Sequence, residues 1–465
     1  MLEGQVMYRD FFQFTPPATG LVYFVLFKLL GPRAWIPNTV LLVMGLALAW
    51  LSVVISRKVM RGWVVFLPGL LFLPFMFRSF LDPTHHWFSV PAVMGAIALV
   101  IEKRSLARLA GAGALCGLAS CFTQPRGMAA LLGLVVFLVW ESRKKRQAAR
   151  ELLRVGACLF STFLAAVVAV NAYFVWKAGL QRFLYCTVVA GVKYYSADSR
   201  WNTFRVYLSE APILPPWYRL PHLAVYLFPH FLLPLVYVVF LMHYRREASG
   251  RPLERWDRLM LLNLTGLFLF LSIAPAPGWG RLCMASLPGL ILLVWFLDLP
   301  GKFRRPLLGS LWVAGLTLVV AECLYSQNRW AGYLDTPAGR TAFTHPMSYE
   351  TMKWVLSKTQ PGEFIFAGDS FAIYFALGLR DPSEITYITP NDYTRPEQVQ
   401  NVINSLEKRH VRYVLWDWYL DSSGVRSSPG DHLNPLRAYL RRHYRVIKSF
   451  EDSEQVWERK TEPSN

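Results

Sequence analysis

Apolar runs of 14 to 23 residues recur between positions 35 and 325, at 35–56, 62–80, 87–101, 106–122, 127–140, 153–175, 222–244, 258–278, 282–298 and 307–325. A hydrocarbon core about 30 Å thick is crossed by roughly 20 helical residues, so this pattern predicts a polytopic helical bundle with about ten spans. Composition agrees: 54% of the 465 residues are hydrophobic and only 17% are charged, against about 25% in an ordinary soluble domain. A disordered chain, a collagen-like repeat and a secreted disulfide scaffold are thereby excluded.

The net charge of +19 is confined to the apolar part. Residues 1–325 hold 32 Lys and Arg against 13 Asp and Glu, whereas residues 326–465 hold 17 of each. Cations beside spans report topology, so the basic balance is not read as nucleic-acid binding. The loops with Arg57, Lys58 and Arg61, with Lys103, Arg104 and Arg108, from Arg143 to Arg154, from Arg245 to Arg258, and with Lys302, Arg304 and Arg305 are expected in the cytoplasm. Residues 1–34, 81–86, 123–126, 176–221, 275–281 and everything after 325 then face outward, on the outer side of the cytoplasmic membrane.

The expected organisation is an outward loop and interfacial helix over 1–34, a transmembrane bundle over 35–325 and an extracytoplasmic α/β domain over 326–465. The fold class is mainly α. ATGLVYFVLFKLL at 18–30 is too short to span and carries Lys28, so it is predicted to lie at the interface or against the bundle. The opening MLEGQVMYRDFFQFTPP reads as a loop rather than a signal peptide. In the tail, strands are predicted at EFIFAG, ITYIT and VRYVLWD, and helices at YETMKWVLSKT, FAIYFALG and PEQVQNVINSLEKRH.

Chemistry-bearing residues gather in the outward loops. Tyr8, Arg9 and Asp10 precede the Pro16-Pro17 pair, and a carboxylate there can take a proton from a hydroxyl if partial burial raises its pKa. Arg78, Asp82, His85, His86 and Trp87 fall within ten positions around one short turn. Asp82, His85 and His86 lack a further clear metal ligand, so neither a metal nor another cofactor is expected. Arg126, Lys193, Arg200 and Arg281 supply outward cations, and a guanidinium matches a phosphate in shape and charge. The six cysteines form no disulfide framework or zinc spacing. Gly368-Asp369-Ser370 resembles the serine block of GDSL hydrolases, but the late Asp-x-x-His of that family is missing.

The stretches EGQVMYRDFFQFTPPATGLVYFVLFKLLG, HHWFSVPAVMGAIALVIEKR, AGAGALCGLASCFTQPRGMAALLGLVVFLVW and WGRLCMASLPGLILLVWFLDL resemble, in order and spacing, the GT-C superfamily of membrane glycosyltransferases. The resemblance is to bacterial relatives of protein O-mannosyltransferases and aminoarabinose transferases. It implies transfer of a sugar from a polyprenyl-phosphate carrier to a protein, lipid or glycan acceptor at the outer face of the cytoplasmic membrane. It also implies Asp10 as base or acceptor-binding group, Asp82 with His85 in acceptor positioning, and Arg281 or Arg126 on the phosphate; the residue pattern of the outward loops adds Tyr8, Arg78, His86, Lys193 and Arg200 as candidates to bind the substrate.

Two departures stand out. The relatives carry a first span and a leading acidic motif upstream of the position matching Met1, so a start assigned too late, or an inactive truncated homologue, is expected. Thr15 stands where aminoarabinose transferases place a Lys. The competing class is a transporter or flippase of lipid-linked sugars, which would place charges near the bilayer midplane rather than at one face.

Overall fold

The computed structural model describes residues 1–194, 216, 228–247, 253–274, 277–302, 304–327, 330–368, 372–421, 430–450 and 454–461. The apolar runs are mostly helical over their described parts, with breaks at 272–274 and at Ser286. In chain order the helices are α1 (Ala18–Leu30), α2 (Trp35–Ser56), a broken α3, α4 (His85–Val100), α5 (Leu106–Phe122), α6 (Gln124–Lys145) and α7 (Ala149–Ala178). A broken α8 follows, made of Leu180–Leu184, Tyr185–Val189 and Ala190–Lys193. Then come α9 (Leu233–Glu247), α10 (Leu253–Leu271), α11 (Trp279–Ala285), α12 (Leu287–Leu297) and α13 (Arg304–Gln327).

Among the described residues, four helices are long and apolar enough to cross a membrane by themselves: Trp35–Ser56, Gln124–Lys145, Ala149–Ala178 and Arg304–Tyr325. The pair α11 and α12, bent by 62°, makes a fifth if counted as one broken span. Prolines account for much of the interruption. α3 passes through Gly62–Phe66, Leu67–Phe72, Leu73–Phe77 and Arg78–Phe80 as 3-10, α, π and 3-10 turns. Pro68 and Pro74 each lack an N–H and crowd the preceding turn, so one regular helix cannot run through. Pro288 at the start of α12 does the same beside Ser286, whose hydroxyl bonds back to the Cys283 carbonyl at 2.6 Å.

Close packing of α5 on α7 follows from small residues. A Cβ at Gly113 would overlap the Leu159 carbonyl, and one at Gly117 would press on the Phe163 carbonyl and the Ala166 methyl. This spacing of four lets two backbones approach where lipid supplies no hydrophobic drive for helix association. Ser105 caps the start of α5 by accepting the Arg108 N–H.

The tail folds as a small α/β domain. A hairpin of β1 (Gly332–Thr336) and β2 (Gly339–Phe343) is followed by α14 (Pro346–Lys358), β3 (Ile365–Ala367), α15 (Ala372–Leu377), α16 (Pro396–Lys408), β4 (Tyr413–Asp417), α17 (Asn434–His443), β5 (Tyr444–Ser449) and β6 (Glu454–Arg459). The sheet order is β3-β4-β6-β5, with β3 parallel to β4 and the other pairs antiparallel. The predicted strand ITYIT is irregular instead. Its backbone is claimed by Thr389 N–H to Thr394 Oγ1 at 2.7 Å and Ile388 N–H to the Gly368 carbonyl at 3.1 Å, leaving no ladder.

The N-terminal loop wedges between this domain and the bundle. Phe12 N–H donates to the Glu384 carbonyl at 2.8 Å, Arg380 pairs with Glu3 at 2.8 Å, and Phe27 of α1 stacks on Phe375 of α15 at 5.2 Å. The buried Arg395 guanidinium lies over the rings of Phe12, Tyr185 and Tyr194. α1 also packs on α4 and α5, as its length and Lys28 predict.

Candidate active site

The turn between α3 and α4 is pinned from three sides. Trp87, fully buried, donates its indole N–H to the Phe80 carbonyl at 2.7 Å and fixes the turn against the start of α4. Tyr23 of α1 donates to the Pro83 carbonyl at 3.0 Å. Thr123, in the one-residue link between α5 and α6, donates to the His85 carbonyl at 3.1 Å. Asp82, His85 and His86 are therefore held on a rigid corner, with the two imidazoles 3.9 Å apart between ring centres.

Arg126, at the first turn of α6, reaches into this corner. It is 3% exposed and donates from Nη1 to the His86 carbonyl at 2.5 Å and to Ser89 Oγ at 2.7 Å. Gly127 allows this: a Cβ there would collide with the backbone of Ser120 and the Cys116 carbonyl, so only glycine lets α6 start this close to α5. Arg281 on α11 comes near enough to Arg126, His85 and His86 to act on all three electrostatically. Its loop is tied by His230, whose Nε2 lies 2.9 Å from the Pro277 carbonyl, and Gly280 packs on the Phe80 ring.

The corner thus brings two cations near the two histidines, with the carboxylate of Asp82 three positions before His85 in the chain. Among the described residues neither Arg126 nor Asp82 has an ion-pair partner. Asp82 is solvent-exposed at its surface, yet the protein packed around it raises its pKa above the ordinary carboxylate value by desolvation. Such a carboxylate is a stronger base than a fully solvated one, and two adjacent guanidiniums favour an anion between them.

The remaining sequence candidates sit elsewhere. Asp10 is clasped by Arg9 through two bonds of 2.8 Å and accepts the Val6 N–H at 2.6 Å. The bonded Arg9 guanidinium lowers the Asp10 pKa. Tyr8 is fully buried with φ of 69°, bonds the Thr15 carbonyl at 2.7 Å, and packs edge-on against Phe174 and Phe183. It shapes the N-terminal loop. Arg78 pairs with Glu322 of α13 at 3.0 Å. Lys193 is exposed at the end of α8, over the Tyr194 ring. Arg200 and Ser370 lie outside the described residues. Among the described residues, no three His, Cys, Asp or Glu side chains gather where they could share a metal ion.

Sequence reasoning missed Tyr23, Ser89 and Thr123, which position the corner rather than advertise a charge. It also missed a groove of about 600 Å³ whose wall runs from Gln124, two positions before Arg126, along Cys121, Val167, Asn171 and Trp176 to Thr187. The groove is almost wholly apolar, and Met128, Val168, Trp176 and Val188 on its rim are exposed.

No family model and no curated protein matches the sequence. The fold matches the oligosaccharyltransferase of Archaeoglobus fulgidus, solved tethered to an acceptor peptide containing the NVT sequon, with a TM-score of 0.50 and 12% identity over 98% of this chain and 67% of that one. ArnT from Cupriavidus metallidurans bound to undecaprenyl phosphate gives a TM-score of 0.49 and 13% identity, over 96% and 88% of the two chains. AglB of Archaeoglobus fulgidus, in complex with an inhibitory peptide and a dolichol-phosphate, gives 0.47 and 11% over 96% and 67%. At such identities the likeness is one of architecture alone: this chain shares the overall fold of the Archaeoglobus fulgidus oligosaccharyltransferase.

Proposed function

We propose that the chain is a membrane glycosyltransferase that moves a sugar from a polyprenyl-phosphate carrier to an acceptor at the outer face of the cytoplasmic membrane. What supports this reading is the corner at the start of α4, where Asp82, with no ion-pair partner among the described residues, precedes a histidine pair that Arg126 and Arg281 approach beside an apolar groove. In this reading the ten apolar segments cross the bilayer and the basic loops face the cytoplasm. The isoprenoid tail lies in the groove and its phosphate meets the two guanidiniums.

The reaction is a single displacement. The acceptor hydroxyl attacks the anomeric carbon and gives its proton to Asp82; the bond from that carbon to the phosphate oxygen breaks, and Arg126 and Arg281 stabilise the departing lipid phosphate. One attack inverts the anomeric centre. His85 positions the acceptor, and no metal or other cofactor takes part. The flippase reading is weaker because its charges would lie along a path through the bundle, whereas these sit together at one end.

Radiolabelled polyprenyl-phosphate sugars supplied to membranes containing the protein test the reading. Transfer to endogenous acceptor, lost in Asp82→Asn at equal protein level, is the expected result. Carrier translocated across the bilayer with no sugar transferred would replace the transferase by the flippase.

A further inference from the structure

Two long apolar helices each carry an exposed stripe that ends at the same surface of the tail domain. On α2 the exposed side chains Trp35, Leu42, Leu46 and Trp50 recur at helical spacing along one face. On α13 the exposed Val313, Leu316, Val320 and Leu324 do the same, and the helix ends at Gln327. The hairpin β1–β2 begins at Gly332, five residues past that end. Its turn is tied to the start of α2, because Ala34 donates its N–H to the Ala338 carbonyl at 2.8 Å. Along β1, Leu334 and Thr336 are turned inward, whereas Tyr333 and Asp335 face out. The exposed Trp330 ring lies 5.7 Å from that of Tyr333, and the exposed Arg340 guanidinium sits 4.9 Å from the Tyr333 ring centre. The end of α1 and the link from it to α2 expose Lys28 and Arg33.

Resting on the membrane orientation of the transferase reading, we propose that the hairpin β1–β2 and the α1–α2 link form a foot that seats the tail domain on anionic phospholipid headgroups of the outer leaflet. Continuity sets the occupant. A bilayer that covers the exposed stripes of α2 and α13 ends where Trp35 and the hairpin begin, so its headgroups meet the foot. Trp and Tyr rings, apolar in body and polar at one edge, settle at that depth. Charge sets the class of lipid: the cations Lys28, Arg33 and Arg340 stand against the exposed acid Asp335, a balance that favours an anionic headgroup over a zwitterionic one. The foot is also joined to the body of the tail, since Ala338 donates its N–H to the Ala376 carbonyl of α15 at 3.3 Å. Holding the hairpin on the headgroups therefore fixes the height of the tail over the bundle.

The test is photo-crosslinking of the full chain in nanodiscs made of equal parts phosphatidylglycerol and phosphatidylcholine, with adducts identified by mass spectrometry. Benzoylphenylalanine replaces, one at a time, Tyr333 in the foot, Leu46 in the stripe of α2, and Val446, exposed on β5 away from the hairpin. Lipid adducts are expected at 46 and 333 and not at 446. At 333 the adducts should favour phosphatidylglycerol by about fivefold or more, the worth of one cation near an anionic surface. Arg33→Gln combined with Arg340→Gln, both at exposed positions, should bring the two lipids toward parity at 333 while leaving the lipid yield at 46 unchanged. Lipid adducts at 46 with none above the level of 446 at 333, or adducts at 333 to protein instead of lipid, overturn the foot and leave the membrane reading standing. Equal yields of the two lipids at 333 in the parent overturn the anionic preference. Lipid adducts at none of the three positions overturn both the foot and the orientation it rests on.

Discussion

Arg126 and Ser89, 37 positions apart, are joined by a 2.7 Å hydrogen bond that ties α6 to α4. The same guanidinium nitrogen reaches the His86 carbonyl, so the cation is fixed before any substrate arrives. Preorganised donors avoid reorganisation at the moment of reaction, and removing one typically costs about 10²-fold in rate or more. Arg126→Lys keeps the charge and loses the fork, and the rate of sugar transfer should fall by about that factor. Ser89→Ala, which frees the fork without removing it, should cost about tenfold, the worth of one such hydrogen bond.

Asp82 and Asp10 should separate in mutation and in pH. Asp10 is bonded to Arg9 and held below its usual pKa, whereas desolvation raises Asp82. Transfer measured against pH should therefore fall on the acid side as Asp82 is protonated, at a pH above the ordinary carboxylate value. Asp82→Asn should abolish transfer. Asp10→Asn should retain most of it, because Asp10 organises its own loop; equal loss in both variants would assign Asp10 a direct role.

Gly127 sets how closely α6 approaches α5. Gly127→Ala forces a Cβ into the Ser120 backbone, and overpacking of this kind costs about 1–3 kcal/mol. Thermal unfolding in detergent should show a lowered midpoint. Affinity for undecaprenyl phosphate should fall as well, because Arg126 moves with the helix.

Asp381 in the tail gives a separate pH dependence. Burial pushes its carboxyl up to about 7, although the Ser383 N–H and hydroxyl both bond to Oδ1 at 2.8 and 3.0 Å. In the unfolded chain the proton leaves near pH 4, in the folded domain near 7, so the stability tied to this group is full below about 4 and is lost as pH rises to about 7. Each pKa unit of displacement is worth about 1.4 kcal/mol. Asp381→Asn, which stays neutral, should flatten this slope and raise the unfolding midpoint at pH 8 relative to the parent.

How much was legible in sequence follows the range of each signal. The apolar runs announced where helices form, and among the described residues four of those helices, or five with the bent pair, are long and apolar enough to cross a membrane. α14, α15, α16, β3 and β4 were equally plain, since Pro396, Gln398 and the run Tyr413–Trp416 carry their own local signals. The strands β5 and β6 were not. YRVIKS in β5 is exposed from Arg445 onward and lacks alternation, and its pairing with β6 depends on the sheet edge it joins. At the site, Asp82, His85, Arg126 and Arg281 stood out because ionisable residues beside spans are costly. Tyr23 and Ser89 did not, because a hydroxyl in an apolar helix looks the same whether it anchors a corner or bonds its own backbone. Asp10 was conspicuous for its charge, yet only the coordinates reveal that Arg9 occupies it.

Lipid phosphate is expected to bind between Arg126 and Arg281 with its tail in the groove beside α6 and α7. A cryo-electron microscopy map of the protein in nanodiscs with undecaprenyl phosphate tests it most directly. Phosphate density is expected within hydrogen-bond reach of both guanidiniums, with chain density passing Gln124 and Asn171. Phosphate seated instead at Lys193 or among the basic loops around Arg143 and Arg245, with the α4 corner unchanged, would contradict it.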